Sequence, residues 1–324
     1  MNKYRITVGI CFMFTIAVWI GYIVQAENNE DSKYIGVQLS LIDHTGKMIL
    51  RTIKTEDDIF NGNIMISVDS NSETHYSAIL MKNYQQVAFS INNLEKRTVQ
   101  DIEIPATDGI VKKKFEISFG LSEDGFNDCL LLLLEKNGKD NVFSMRFTIQ
   151  KGKREKYKSD IKSNGRFFEI DKITLEQITD KDLCVVDSNL CETQNIYLDN
   201  KSPYLKIILN YENRLMQTSF AEQYLDAKKK EEEVRIGFFV ISKNKLVPIS
   251  QRNINIKTGY YVDNVQIMLN TKFITSEIKS FRVFAIMYPF KTQNNMLGTY
   301  EMVNWDSIFY SNYILVNETS IEQK

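Results

Sequence analysis

Short runs of alternating apolar residues, broken by turn formers roughly every eight to twelve positions, constrain this chain more than any other feature. Tyr34 to Leu41 alternates and stops at Asp43-His44-Thr45-Gly46. Met48 to Ile53 reads as its return strand, and Ile64 to Val68 follows. Ser77 to Met81 and Gln86 to Ile91 pair about the turn Asn83-Tyr84. Val99 to Ile104 ends at Pro105. Phe115 to Phe119, Cys129 to Leu134 and Val142 to Ile149 complete the set, the last two joined by Asn137-Gly138, a strong hairpin signal. That is roughly nine strands in about 117 residues, the spacing of a β-sandwich.

The composition then changes. Lys151 to Arg166 is basic and polar and reads as a linker. A second strand-rich region runs from Phe167 onward. Helix is scarce; the best candidate is Phe220 to Lys230, with Ser219 and Glu222 as a capping box. The halves read as a distant duplication. Ile79 to Val87 is matched to Lys206 to Arg214, Lys113 to Phe119 to Glu233 to Phe239, and Leu130 to Leu134 to Arg282 to Ile286. The expected fold is all-β: two tandem immunoglobulin-like sandwiches after an N-terminal apolar helix. The expected segments are that helix at 1–26, a polar spacer at 27–32, sandwiches at 33–150 and 167–318 about a linker at 151–166, and a polar tail at 319–324.

The start of the chain sets an address. Lys3 and Arg5 precede an uncharged stretch from Ile6 to Ala26, and Glu27, Glu30 and Asp31 follow it. Basic residues before such a stretch and acidic ones after it leave the N-terminus inside and the bulk outside. Twenty-one residues are enough for a membrane-spanning anchor, with Trp19 and Tyr22 near the outer boundary. Val24-Gln25-Ala26 also fits a signal cleavage site. The two alternatives place the protein in the cell membrane as a single-pass chain or among secreted proteins.

Chemistry is sparse. With 40 basic and 41 acidic residues the net charge is −1, so no global field recruits nucleic acid. The chain has 2 histidines, His44 and His75, each beside a turn. Neither belongs to a nucleophile motif, and no Gly-rich phosphate loop exists. Asp69-Ser70-Asn71-Ser72-Glu73 starts like a calcium loop, but Thr74 stands where Gly is required and Leu80 where Glu is required. No catalytic residue, cofactor or metal is therefore expected. Cys129 opens a leucine run and reads as a buried thiol. Cys184 and Cys191 flank the turn Asp187-Ser188-Asn189, and outside the cytoplasm they are expected to form a disulfide. The aromatic stretch holding Tyr300, Trp305, Phe309, Tyr310 and Tyr313 reads either as sandwich core or as a stacking surface for a ligand.

Together these features lead to the expectation of an extracytoplasmic, non-enzymatic binding or adhesion-type protein of the bacterial cell envelope. Its expected partners are an envelope protein or polymer, and the membrane itself if the N-terminal helix is uncleaved. An accessory subunit of a membrane complex for transport or secretion is the alternative. A cell-wall hydrolase using paired carboxylates ranks third.

Overall fold

In the computed structural model, strand pairing joins segments far apart in sequence. It describes residues 36–49, 52–69, 72–121, 124–136, 141–153, 183–187, 192–199, 202–210, 232–249, 253–258, 264–287 and 308–318. These residues form two β-sandwich bodies built from four sheets. Among them no helix is long and apolar enough to cross a membrane. The segments expected at 1–26, 27–32 and 319–324 lie outside the described residues, as does the helix expected at Phe220 to Lys230.

The first body contains β1 (Val37–Ile42), β2 (Ile53–Thr55), β3 (Ile59–Asp69), β4 (Thr74–Lys82), β5 (Gln85–Val87), β6 (Phe89–Ile91), β7 (Val99–Ile104), β8 (Ile110–Gly120), β9 (Gly125–Glu135) and β10 (Val142–Lys151). One sheet has the order β1-β3-β8-β6 and the other β2-β10-β9-β4-β5, with β7 also on β4. A four-strand A-B-E-D order facing C-F-G is the immunoglobulin-like arrangement. The return strand expected at Met48 to Ile53 is mostly replaced. Met48 makes one bridge to Ile42, and the chain then crosses to the other sheet, where β2 runs parallel to β10. Crossing lets one N-terminal stretch cover an edge of each sheet.

The second body repeats this plan with β11 (Leu183–Val186), β12 (Asn195–Tyr197), β13 (Tyr204–Asn210), β14 (Glu232–Ser242), β15 (Lys245–Val247), β16 (Asn253–Thr258), β17 (Asn264–Asn270), β18 (Ser280–Met287), β19 (Ile308–Tyr310) and β20 (Ile314–Asn317). Its sheets are β11-β13-β17 and β12-β20-β18-β14-β15, with β16 on β14 and β19 on β18. β12 pairs parallel with β20, as β2 does with β10.

This topology corrects the segment matching made from sequence. Leu130–Leu134 and Arg282–Ile286 are equivalent: Leu132 stands opposite Ile79 in one body and Phe284 opposite Phe239 in the other. The turn Asn83-Tyr84, however, corresponds to Lys243-Asn244 and not to Asn210-Tyr211. Each joins a long strand to a three-residue partner, and the paired φ values are 49° and 62° against 48° and 60°. Both are left-handed two-residue turns, whose twist matches that of the flanking strands. Likewise β8, which holds Lys113 to Phe119, corresponds to β17, whereas Glu233 to Phe239 lies in β14. Aliphatic strands resemble one another in sequence, and only pairing distinguishes them.

Each body encloses its own core. Leu39, Ile64, Ile66, Phe89, Phe119, Cys129, Leu131 and Leu133 belong to the first. Leu183, Ile207, Phe238, Val240, Phe281, Val283 and Phe309 belong to the second. A third apolar cluster draws on both bodies. It joins Ile79, Met81, Leu130, Leu132, Leu134 and Val142 to Phe239, Ile241, Phe284, Ile286 and Ile308. Period-2 geometry explains it: odd residues of β9 enter the first core, and the even ones leave by the other face to meet the second body. Equivalent positions of the two bodies belong to it, Ile79 and Phe239, Met81 and Ile241, Leu132 and Phe284. The seam is thus built from equivalent strands of the two bodies, β4 and β9 of the first and β14 and β18 of the second.

Candidate functional site

The polar boundary of the seam is fixed by main-chain geometry. Gln86 and Leu246 hold equivalent places, opposite Met81 and Ile241. The Gln86 Nε2 donates to the Asn244 carbonyl at 3.1 Å, and its Oε1 accepts the Leu246 N–H at 2.9 Å. Asn244 Nδ2 donates to Ser77 Oγ at 3.0 Å. On the same sheet face of the first body, Arg146 forks onto Asp128 at 2.9 and 2.7 Å, and Tyr84 Oη donates to Asp128 at 2.6 Å.

Along β4 the side chains divide by parity. Tyr76, Ala78 and Leu80 enter the first core, while His75, Ser77, Ile79 and Met81 take the opposite face. His75 pairs with Glu103 of β7, and Glu73 stands two residues before His75. The ladder brings His75 to Glu103, and Glu73 just before β4 completes a group with a donor atom from each within 4.8 Å of the others. The His75 Nε2 is 3.7 Å from Glu73 Oε1, and both side chains remain accessible. A hydrogen bond and charge repulsion from Glu103 hold the Glu73 carboxyl above its ordinary range, partly opposed by His75. The neighbouring ammonium groups are used elsewhere. Lys113 donates to the Glu103 main-chain carbonyl at 2.9 Å, and Lys136 bonds Asp101 at 2.6 Å. Two oxygen donors and an imidazole are a donor set for a borderline divalent cation.

Sequence reading missed this cluster. It placed His75 beside a turn and Glu73 at the end of a failed calcium loop. Glu73-x-His75 does carry a signal, a carboxylate and an imidazole two residues apart at the entry to a strand. Glu103 is brought in only by pairing.

Of the aromatics singled out from sequence, Phe309 is buried in the second core. Tyr310 packs on the seam. The Arg282 guanidinium lies 5.7 Å from the Tyr310 ring and 4.2 Å from that of Tyr313. Both tyrosines are half-buried, and this ring–cation stack sits where the first body has Leu130. Tyr300 and Trp305 lie outside the described residues. Cys184 is buried with Val186 and Ile208 on the outer face of β11 and β13. Its expected partner Cys191 lies outside the described residues. His44 sits in an exposed turn closed by Asp43, whose carboxylate accepts from Thr45 and Lys47.

No protein-family model and no curated protein matches the chain. Among solved structures, the N-terminal domain of PorA is 11% identical, covering 35% of this chain and 97% of that one, with a TM-score of 0.23. WR4, a C. elegans MSP family member, is 12% identical over 36% of this chain and 97% of its own, with a TM-score of 0.21. A chain of the human seminal-plasma complex of zinc 2-glycoprotein with prolactin-inducible protein is 6% identical over 38% and 100%, with a TM-score of 0.24.

Proposed function

We propose that this chain is an extracytoplasmic, non-enzymatic binding or adhesion-type protein of the bacterial cell envelope. The observation that supports the reading best is the seam. Two immunoglobulin-like bodies joined through one sheet face each make a platform, and the opposite sheet of the first body, with Lys112, Lys114 and Glu116 exposed on β8, stays available for an envelope protein or polymer. The basic N-terminus and the apolar run from Ile6 to Ala26 support the address. A photoreactive residue at Lys114, exposed on β8, tests the proposal on intact host cells. Enrichment of one envelope protein or wall polymer over a seam-placed probe at Leu132 is expected. Equal labelling from both positions would overturn it.

A second reading, an accessory subunit of a membrane complex, is favoured by Trp19 and Tyr22 at the outer end of a run long enough to span. Exchange of residues 1–26 for an unrelated anchor separates the two. A surface binder keeps its partner, whereas an accessory subunit loses assembly.

A further inference from the structure

We infer that Glu73, His75 and Glu103 form a binding site for a zinc-class divalent cation at the junction of β4 and the edge strand β7. The first support is placement. His75 and Glu103 are direct partners in the ladder, so the sheet holds two of the donors, and Glu73, one residue before β4, brings its Oε1 to 3.7 Å from His75 Nε2. The three donor atoms all fall within 4.8 Å of one another. A tetrahedral shell with bonds of about 2.0–2.2 Å needs ligand atoms roughly 3.3–3.6 Å apart, within reach of small side-chain rotations.

The second support comes from the internal repeat. In the second body the matched ladder positions are Glu233, Arg235 and Asn255, with Arg235 opposite Asn255 as His75 is opposite Glu103. That strand carries a fixed positive charge where the first has an imidazole, and one carboxylate fewer. Among the described residues Glu73 and Glu103 make no ion pair with lysine or arginine, because Lys113 and Lys136 bond other groups. A bound cation supplies the missing charge.

The imidazole sets the metal class. Calcium and magnesium take oxygen shells, whereas nitrogen with two carboxylates suits zinc and its first-row neighbours. Three protein ligands leave a position for water or for a donor from a partner. The ion would tie the edge strand to β4, which adds a function beyond surface binding and does not depend on it.

The test uses the untagged full chain in detergent, stripped with chelator and titrated by calorimetry. One Zn²⁺ per chain is expected, with Ca²⁺ bound at least about 100-fold more weakly. His75→Ala and Glu103→Gln should each weaken Zn²⁺ at least about tenfold, while His44→Ala changes nothing. Failure of the folded chain to take up Zn²⁺, uptake indifferent to both variants, or Ca²⁺ bound as tightly as Zn²⁺ would each overturn the site. Co²⁺ absorption by the unaltered chain gives a readout free of variants: intense visible bands support a four-coordinate protein site, and the spectrum of the aqua ion refutes it.

Discussion

Gly62 shows how tightly single positions are set. A Cβ there would stand 2.5 and 2.6 Å from the Phe60 ring. That ring cannot retreat freely, since it packs at 5.2 Å from Phe119 and 6.1 Å from Phe147. Gly62→Ala should cost about 1–3 kcal/mol, read as a lower urea midpoint with an unchanged slope. Cys129 is fully buried, and desolvation pushes its thiol well above the usual range. Iodoacetamide should leave it intact in the native protein and modify it in urea; rapid native labelling would contradict this burial. Lys151, the first residue of the basic stretch read as a linker, is the last of β10 and bonds Asp58 and the Leu121 carbonyl. Its hydrogen bond and charge lower the Asp58 carboxyl, and the same contact raises the Lys151 ammonium. The Asp58 contribution exists above the ordinary aspartate pKa and fades as pH falls through the lowered value. The Lys151 contribution exists below the ordinary lysine pKa and is lost as pH rises through the raised one. Asp58→Asn should therefore flatten both limbs of the stability–pH profile and lower the plateau between them, which thermal melts across pH can check.

At the scale of elements, β9 and its neighbours carry the largest energetic consequences. Asp128 and Arg146 have side-chain exposures of only 2% and 4%, and Tyr84 from the β4–β5 turn donates to the same carboxylate. Removing one buried charge strands the other. Asp128→Ala should destabilise by about 3–5 kcal/mol. The pair replaced together, Asp128→Leu with Arg146→Met, should recover most of that loss, because matched apolar groups leave no unpaired charge. Denaturant unfolding of the two variants distinguishes a true buried pair from a dispensable surface contact: equal stability would mean the latter.

For the whole molecule, the seam decides whether two bodies act as one. Phe239 and Phe284 stack at 4.9 Å with planes 4° apart, and Phe284 is fully buried. Phe284→Ala should cost about 3–5 kcal/mol and weaken contact between the bodies. A protease site placed between residues 153 and 183 gives the complementary experiment. After cleavage the two fragments should still co-elute in gel filtration, and Leu132→Asp combined with Phe284→Asp should separate them. Fragments that part without those changes would refute a permanent seam.

Strand character was legible for most elements before any tertiary structure, because alternation and turn residues act locally. Val99 to Ile104 coincides with β7, and the Asn83-Tyr84 turn forms where expected. Leu130 to Leu134 was legible as a buried strand, but not why both of its faces are buried. One face fills the first body and the other meets the second, a fact held in long-range packing. The equivalence of β4 with β14 was equally hidden, since hydrogen-bond partners and not residue types define it. The cluster at His75 followed the same rule. Two of its members, Glu73 and His75, stand two residues apart at the start of β4 and were within reach of a local reading, while Glu103 joins only through the register of β4 with β7. Local chemistry fixes what a segment can be; which segments meet is set by the burial that the assembled sheets achieve together.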